Sequence, residues 1–441
     1  MKITFLNHAS FIIQEKNFKL CCDPYLFGSA FNNGWNLLKE ENHDEQLKNL
    51  THIFFSHEHP DHFAIPFLKK INGNDRSKIT ILYQETFDKR VKKFCESLGY
   101  KFFELKNKVL TNLNDDVSVI CGKVPVYDSW INFKINDFNI LNVNDCVLEN
   151  PSLIKEINQT LKNEVDILFT QFSYASFAST KTLREETASN QLLTIKKQDD
   201  LIKPKFIVPF ASFIYFSNSE NKYMNDSINS VVKAYNFMNK NCKSKVVVMR
   251  PNQEWNGIDE VNNQQSIEYW KSIYENIENL NFSNEITNFD DTNLINKSKK
   301  YIEKLKKKNN FLIVKFLRLI GFFKDIKIFL TDKKKFFKFN IFLGLKEIEP
   351  ENNIDKIISM HSNSLAFIFD YDYGFDTLIV NARFKSNFEY FQTVKKTFML
   401  GTLNNTGRYL KMSNTYKYLN KNFILRCFEI FGLKKRVNPT S

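Results

Sequence analysis

Residues 51–62 read THIFFSHEHPDH, and this stretch decides how the rest of the sequence is interpreted. Its first half, Thr51–Ser56, is a short apolar run rich in β-formers, as a buried strand should be. Helical spacing resumes at Phe63–Ile71, so the segment His-x-His-x-Asp-His lies on the turn between a strand end and a helix start. Three of the chain's seven histidines fall within these six residues. This concentration indicates a metal site rather than solvent-exposed loop histidines.

The spacing of the motif predicts two metal positions. On a tight turn stiffened by Pro60, His57 and His59 point the same way, while Asp61 and His62 turn back from the other side. The two imidazoles can therefore bind one metal, and the pair Asp61 and His62 a second metal nearby. Imidazole suits zinc and iron, while a carboxylate favours harder ions.

A further carboxylate is expected from the end of a later strand. Asp145, in the segment VNDC, follows the apolar run Asn139–Val143 and is the candidate to bridge the two metals. An aspartate that merely forms a turn after the strand is the alternative. We expect Asp61 and Asp145 to be the catalytic residues of the site.

Composition narrows the class of protein. The 441 residues are 43% hydrophobic and 25% charged, which is ample for a large core. The formal net charge of +13 would suit an anionic small molecule, a glycan or a membrane surface, whereas no nucleic-acid-binding motif is found and no nucleic acid partner is expected. The seven cysteines are scattered without a CxxC pair, so neither a disulfide framework nor a cysteine-built zinc site is indicated.

No segment of the sequence reads as a signal peptide or a membrane span, and we expect a cytoplasmic protein. The most apolar stretch, Phe311–Phe323, carries Lys315 and Arg318 and is too short to cross a bilayer. The basic stretch Lys297–Lys338 is interleaved with Phe and Leu. It predicts either peripheral contact with an anionic membrane surface or a solvated helix packed on the first domain.

The order of predicted elements divides the chain into three domains or segments. Short strands alternate with helices over residues 1–255, which predicts an α/β layered domain. Residues 256–310 read as a basic helical connector, and residues 311–441 as a smaller α+β domain. The strand-like pieces of that last domain are Phe339–Leu345, Leu365–Phe369 and Thr377–Ala382.

Several segments resemble a known family more closely than the histidine motif alone. They are HASFII (8–13), CCDPYLFGSAFNNGWNLL (21–38), FFSHEHPDHFAIPFLKKI (54–71), VNDC (143–146), IVPFASF (207–213) and DYDYGFDTLIV (370–380). Together they resemble the metallo-β-lactamase-like catalytic part of the CMP-N-acetylneuraminate hydroxylase family. The resemblance implies a metallo-β-lactamase αβ/βα sandwich over residues 1–255. It also implies oxygen chemistry at a non-haem iron site and a sugar-nucleotide or glycan-linked N-acyl-sugar substrate in glycan biosynthesis.

The sequence departs from that family in two ways. The family carries a Rieske iron–sulfur domain, but no CxH and CxxH pair is found here, so a separate Rieske or ferredoxin protein is the expected electron donor. The family also has a histidine where this chain has Val124, followed by Asp128, and the fold's later histidine position is Phe210. The predicted ligands are therefore His57, His59, Asp61, His62, Asp145 and Asp128.

This histidine-poor ligand set predicts two divalent metal ions, with iron favoured and zinc or manganese as alternatives. Two histidines and a carboxylate with open positions are the facial arrangement of oxygen-activating iron, whereas catalytic zinc more often keeps three strong protein ligands. His8 is expected at a turn beside the pocket, and the resemblance places Asp23 there too. We predict that both support the ligands without binding metal, although each could equally be a structural residue.

The sequence is compatible with three classes of function. The first is an iron-dependent oxygenase that uses an external electron donor. The second is a hydrolase of an ester, amide or phosphodiester, in which Asp61 or Asp145 orients a metal-bound water. The third is a non-catalytic metal- or sugar-binding relative, which the missing histidines favour.

Overall fold

The computed structural model describes residues 1–411 except 125–127, 147, 149, 163, 286–288 and 352. Two seven-stranded sheets form the amino-terminal part of the molecule. Each sheet has antiparallel hairpins on one side and parallel strands on the other. Parallel neighbours need a crossover connection, which accounts for the helices between these strands.

The strands of this part are short, and the central strands of each sheet are mostly buried, whereas Lys101–Leu105 and Leu110–Asn112 at the sheet edges are more exposed. In chain order they are β1 (Lys2–Asn7), β2 (Ser10–Glu15), β3 (Phe18–Cys22), β4 (Trp35–Leu37), β5 (His52–Phe55), β6 (Thr80–Gln84), β7 (Lys101–Leu105), β8 (Leu110–Asn112), β9 (Val117–Lys123), β10 (Ser129–Ile135), β11 (Phe138–Asn142), β12 (Ile167–Gln171), β13 (Phe206–Phe210), β14 (Ile214–Phe216), β15 (Lys245–Val246) and β16 (Glu254–Trp255). The first sheet has the order β16-β1-β2-β3-β5-β6-β7 and the second the order β15-β13-β12-β11-β10-β9-β8, while β4 pairs with β14.

The two sheets pack face to face through apolar side chains that alternate along each strand. Phe11 of the first sheet stacks on Phe169 of the second, with ring centroids 4.3 Å apart. Adjacent Cys21 and Cys22 show the alternation, because Cys22 lies in the core between the sheets and Cys21 in the core under the outer helices. Successive side chains of a strand point to opposite faces, so this separation is expected.

Helices cover the outer faces of the two sheets. They are α1 (Asp44–Leu47), α2 (Ile65–Lys70), α3 (Gly73–Arg76), α4 (Arg90–Ser97), α5 (Pro151–Leu161), α6 (Lys181–Ile202), α7 (Val231–Asn241) and α8 (Gln264–Tyr274), with short 3₁₀ turns at Lys222–Ser227 and Ile277–Asn279. Phe67 and Leu68 of α2 and Val91 and Cys95 of α4 fill the outer core of the first sheet. This arrangement confirms the layered α/β sandwich.

The chain then forms a five-stranded sheet with its own hydrophobic core. Its elements are α9 (Asp291–Lys308), α10 (Phe311–Leu319), β17 (Ile326–Leu330), β18 (Lys335–Asn340), β19 (Gly344–Ile348), a 3₁₀ turn (Ile354–Lys356), β20 (Ile358–Met360), α11 (Ser362–Asp370), α12 (Gly374–Asn381), β21 (Phe384–Lys385) and α13 (Phe388–Asn405). Helix α9 contributes Leu294, Ile302 and Leu305 to this core, so it packs against this sheet. The domain limits at residues 255 and 310 stay a prediction, and residues 412–441 of the last domain, including Cys427, lie outside the described residues.

Three predicted strands of this part are wrong. Leu365–Phe369 lies within helix α11 and Thr377–Ala382 overlaps helix α12, because a short apolar run does not by itself distinguish a strand from a buried helix. Phe339–Leu345 is a hairpin rather than one strand. Asn340 Oδ1 accepts hydrogen bonds from the amides of Phe342 and Leu343 and so turns the chain between β18 and β19.

No helix in the described ranges combines the length and the apolar character needed to cross a bilayer.

Candidate metal centre

Asp23 fixes the start of the histidine loop. Strands β3 and β5 are parallel neighbours, so their carboxyl ends place Asp23 beside Ser56. The fully buried Asp23 carboxylate accepts hydrogen bonds from the backbone amide of Ser56 at 2.8 Å and from its hydroxyl at 2.7 Å. Oδ2 of Asp23 also lies 3.1 Å from Nδ1 of His62. A carboxylate at Nδ1 favours the tautomer that leaves Nε2 free to bind a metal.

His57, His59 and Asp145 form the first cluster of potential ligand atoms, which all lie within 4.8 Å of one another. Nε2 of His57 lies 2.8 Å from Nδ1 of His59 and 3.6 Å from Oδ2 of Asp145. The other ring nitrogen of His57 contacts the Ser56 hydroxyl at 2.9 Å, so Nε2 is the atom that faces the cluster.

His8, Asp61 and His62 form the second cluster, which is buried throughout. Oδ2 of Asp61 lies 3.2 Å from Nε2 of His8 and 3.4 Å from Nε2 of His62. His8 comes from the turn between β1 and β2, with a left-handed φ of +39°. Two elements far apart in sequence therefore meet at this cluster.

Asp145, a member of the first cluster, also lies close to His62 of the second cluster. Its Oδ2 is 3.7 Å from Nε2 of His62 and 3.6 Å from Nε2 of His57. The rings of His57 and His62 are themselves 4.2 Å apart. The carboxylate is thus placed where one residue could contact ions held by either cluster.

The donor atoms fit divalent metal ions. Oδ1 of Asp61 and Oδ1 of Asp145 are buried, and neither has a hydrogen-bond partner among the described residues. A buried carboxylate oxygen without a partner is costly unless a cation neutralises it. Imidazole and carboxylate are also the ligands that suit iron, zinc and manganese. The clusters therefore have both the unmet charge and the donor chemistry of a metal centre.

The charges of the cluster are strongly coupled. Burial lowers the pKa of His57 and of His8 below the ordinary 6.5. Burial also disfavours charge on His62, but the carboxylates of Asp61, Asp145 and Asp23 outweigh it and raise the pKa of His62 well above 6.5. In turn, His62 and His8 hold the pKa of Asp61 well below its usual value although burial opposes this. The imidazoles and carboxylates of the two clusters therefore lie close enough to shift one another's pKa values.

The structure places the predicted residues as follows. His57, His59, Asp61, His62 and Asp145 lie together, and their roles as ligands stay a prediction. His8, expected as a support, instead offers a ring nitrogen to the second cluster directly. Asp23 lies behind His62, where a supporting residue would lie.

Asp128 belongs to neither cluster, although it is near enough to His59 for its charge to act on that ring. Its carbonyl accepts a hydrogen bond from the amide of Val124. Two contributors were missed by the sequence reasoning. Ser56 contacts both Asp23 and His57, and its position next to the motif was the available signal. The second contributor is the carboxy-terminal part of the chain.

The carboxy-terminal part borders the centre through a left-handed turn at Phe31–Asn33. These three consecutive residues have φ values between +52° and +55°, which is costly for residues other than glycine. The side-chain amide of Asn381 donates to the Phe31 carbonyl at 2.9 Å, and the guanidinium of Arg383 donates to the Asn32 carbonyl at 2.6 Å. The Phe31 ring packs edge-on against His59 at 5.6 Å. Residues of the last domain thus hold the turn that supports a predicted ligand.

Arg383 is the buried anchor of this contact. Its guanidinium is fully buried and pairs with Glu220 at 2.7 Å and Glu285 at 3.4 Å. The side chain of Asn221 adds hydrogen bonds to the carbonyls of Gly34 and Asn381. The two parts of the chain are therefore joined by satisfied buried polar groups.

Comparison with known proteins shows which family the amino-terminal part of the chain resembles. Residues 2–174 match the family model of the beta-lactamase superfamily domain. This match confirms the resemblance to the metallo-β-lactamase superfamily, and the two-sheet sandwich has that fold.

Among individual relatives, the chain is similar to cytidine monophosphate-N-acetylneuraminic acid hydroxylases. It is 27% identical to that of Cricetulus griseus over 271 residues, which cover 57% of this chain and 47% of the relative. It is 28% identical to that of Xenopus laevis over 251 residues, which cover 52% of this chain and 40% of the relative. The chain thus spans less than half the length of these two proteins.

A solved structure with a similar fold is CmlA, a diiron β-hydroxylase from Streptomyces venezuelae. It has a TM-score of 0.41 and 11% identity, over 58% of this chain and 53% of CmlA.

Proposed function

We propose that this protein is a metal-dependent hydroxylase with a two-metal, oxygen-activating centre. The observation that carries the proposal is that each cluster offers two imidazoles and one carboxylate. The first set is His57, His59 and Asp145, and the second is His8, His62 and Asp61. Two histidines and one carboxylate with open positions are characteristic of non-haem iron that activates oxygen. Iron is accordingly the favoured metal, with zinc or manganese as alternatives.

The chain's own residues would divide the work at this centre. Asp145 would bridge the two metal positions, because its Oδ2 lies almost equally far from His57 and His62. Asp23 and Ser56 would orient the rings of His62 and His57 through their Nδ1 atoms. Bound iron would supply the activation of O₂, with one oxygen atom entering a C–H bond of the substrate. The other oxygen atom would be reduced to water by two electrons and two protons.

The proposed substrate is a sugar nucleotide or a glycan-linked N-acyl sugar. The similarity to cytidine monophosphate-N-acetylneuraminic acid hydroxylases, at 27–28% identity, supports this class. The net charge of +13 suits an anionic substrate, although it is spread over the whole chain. The two electrons would come from a separate donor protein, such as a Rieske protein or a ferredoxin.

Elemental analysis of protein purified without chelator or affinity tag is the first test. The proposal expects about two irons per chain and an optical band that changes on reduction. His59→Ala should lose most of the bound iron. His43→Gln, a buried histidine outside both clusters, serves as the matched control and should keep it. Unchanged iron in His59→Ala would show that the ligand assignment is wrong.

Turnover is tested with reduced donor, O₂ and cytidine monophosphate-N-acetylneuraminate as the probe substrate. A product heavier by one oxygen atom, formed only under air, supports the hydroxylase. An iron-loaded, redox-active protein that leaves this probe unchanged keeps the reaction type but rejects the proposed substrate.

A metal-dependent hydrolase is the second candidate. It is favoured by the match of residues 2–174 to the model of the whole beta-lactamase superfamily domain. Zinc or manganese without a redox response, together with cleavage of an ester, amide or phosphodiester probe, would support it. Protein that binds no metal even after reconstitution would instead indicate a non-catalytic relative.

A further inference from the structure

Helix α10 and the residues next to it carry exposed apolar side chains. These side chains, called the apolar patch below, are Leu312 (77% exposed), Phe316 (61%), Leu319 (77%), Ile320 (64%) and Leu343 (77%). Leu312, Phe316 and Leu319 follow a spacing of four and three residues, so they lie on one face of the helix, and Ile320 follows directly at its C-cap. Leu343 lies on the turn between β18 and β19, whose Phe342 packs its ring against Phe311, at the start of α10, at 5.6 Å.

The helix is held in place from its opposite side. Val314 is fully buried in the core of the carboxy-terminal sheet, and Arg318 pairs with Asp325 at 2.7 Å. The fold therefore orients the helix with its apolar face outward. Single exposed hydrophobic residues are ordinary on protein surfaces, but three large ones on one helix face, followed directly by exposed Ile320, indicate an interaction surface.

Positive charge surrounds the apolar patch. Residues 297–324 contain ten Lys or Arg against one Glu. Lys306, Lys307 and Lys308 form the last turn of α9 immediately before α10, and Nζ of Lys306 lies 5.7 Å from the Phe311 ring. Lys315 on α10 and Lys324 just after it have no ion pair among the described residues.

We propose that helix α10 is a docking surface for an anionic lipid bilayer. The apolar patch would enter the boundary between head groups and acyl chains, and the surrounding lysines would contact anionic head groups. Long lysine side chains can keep their charge at the head groups while their stems lie along the apolar surface. The bilayer is preferred to a second copy of the chain, because a symmetric contact would bring two lysine clusters together. This proposal does not depend on the function of the metal centre.

Co-sedimentation of the full chain with vesicles is the test. Vesicles of phosphatidylcholine with phosphatidylglycerol should bind the protein, and vesicles of phosphatidylcholine alone should bind it far more weakly. Each cation near the surface contributes about fivefold, so Lys306→Gln/Lys307→Gln should weaken binding roughly 25-fold. Leu312→Ser/Phe316→Ser should weaken it by about 10-fold or more. Phe87→Ser/Ile354→Ser alters two apolar residues outside α10 that are more exposed than Leu312 and Phe316, and it should leave binding unchanged.

Several results would overturn the proposal. One is the absence of binding to the anionic vesicles, and another is an equal loss of binding in the control variant. Sedimentation velocity of the lipid-free protein identifies one competing occupant. A dimer that Leu312→Ser/Phe316→Ser dissociates would assign the apolar patch to a second copy of the chain.

Discussion

Replacing Asp23 by asparagine should weaken metal binding without changing any predicted ligand. The carboxylate accepts three contacts, two from Ser56 and one from His62 Nδ1. Asparagine keeps the shape but offers only one oxygen. If that oxygen accepts from the Ser56 amide, the asparagine NH₂ group faces the N–H at His62 Nδ1. Two hydrogen-bond donors would then face each other. His62 would then favour the tautomer with its proton on Nε2, the atom that faces Asp61 and Asp145.

The magnitude follows from the role of such supporting carboxylates. Loss of one typically weakens metal binding about 10–100-fold, or roughly 1.4–2.7 kcal/mol. A competition titration against a chelator measures this directly, on the wild-type protein and on Asp23→Asn. The matched control is Asp166→Asn. Asp166 is a similarly buried carboxylate that accepts from the Asn139 amide at the amino end of β12, away from the clusters.

An affinity of Asp23→Asn equal to that of the wild-type protein would refute the argument that Asp23 orients His62. An equal loss in Asp166→Asn would show that any buried charge change loosens the sandwich.

Three further perturbations test other parts of the structure. Arg383→Met should lower the free energy of unfolding by about 3–5 kcal/mol, measured by urea denaturation, because it removes the buried cation that pairs with Glu220 and Glu285. A loss unchanged by adding Glu220→Gln and Glu285→Gln would contradict this reason. Burial lowers the pKa of His52 to about 4, so between pH 4 and 6.5 the unfolded chain binds more protons than the folded chain, and stability should decrease as pH falls through this range. His52→Gln should flatten this part of the plot of unfolding free energy against pH. An unchanged slope in His52→Gln would contradict the role given to His52. Gly34→Ala should lower the free energy of unfolding by about 1–3 kcal/mol, since a Cβ there would lie 2.5 Å from Cβ of Asn381. A melting temperature equal to that of the wild-type protein would show that the loop adapts.

Local sequence was enough to predict a layered α/β domain and the histidine loop, whereas the αβ/βα sandwich was implied by the family resemblance. Thr51–Ser56 predicts a buried strand. The spacing of the motif after it predicts that its histidines and aspartate lie together. Asp145 could be named because a carboxylate at a strand end reaches the edge where neighbouring strands also end. These inferences depend on contacts within a few residues or between adjacent strands.

The remaining features depend on contacts between distant segments. His8 reaches Asp61 across 53 residues, and no local pattern distinguishes a supporting histidine from one in a ligand cluster. Helix α11 was predicted as a strand because Leu365–Phe369 is apolar throughout. Its helical state follows instead from the N-cap at His361 and from packing on α9 and α12. The turn at Phe31–Asn33 could not be predicted either, because the groups that hold it follow some 350 residues later.

That separation has a consequence for how the protein is made. The bond from Asn381 to the Phe31 carbonyl joins residues 350 apart in sequence. At ribosomal rates of about 5–20 residues per second, residue 381 is synthesised roughly 20–70 s after residue 31. Throughout that interval the nascent histidine loop lacks the turn that packs on His59. If the two clusters hold metal, an ion acquired on the ribosome would meet His59 without the turn that packs on it, and the centre would mature only after residue 381 has been synthesised.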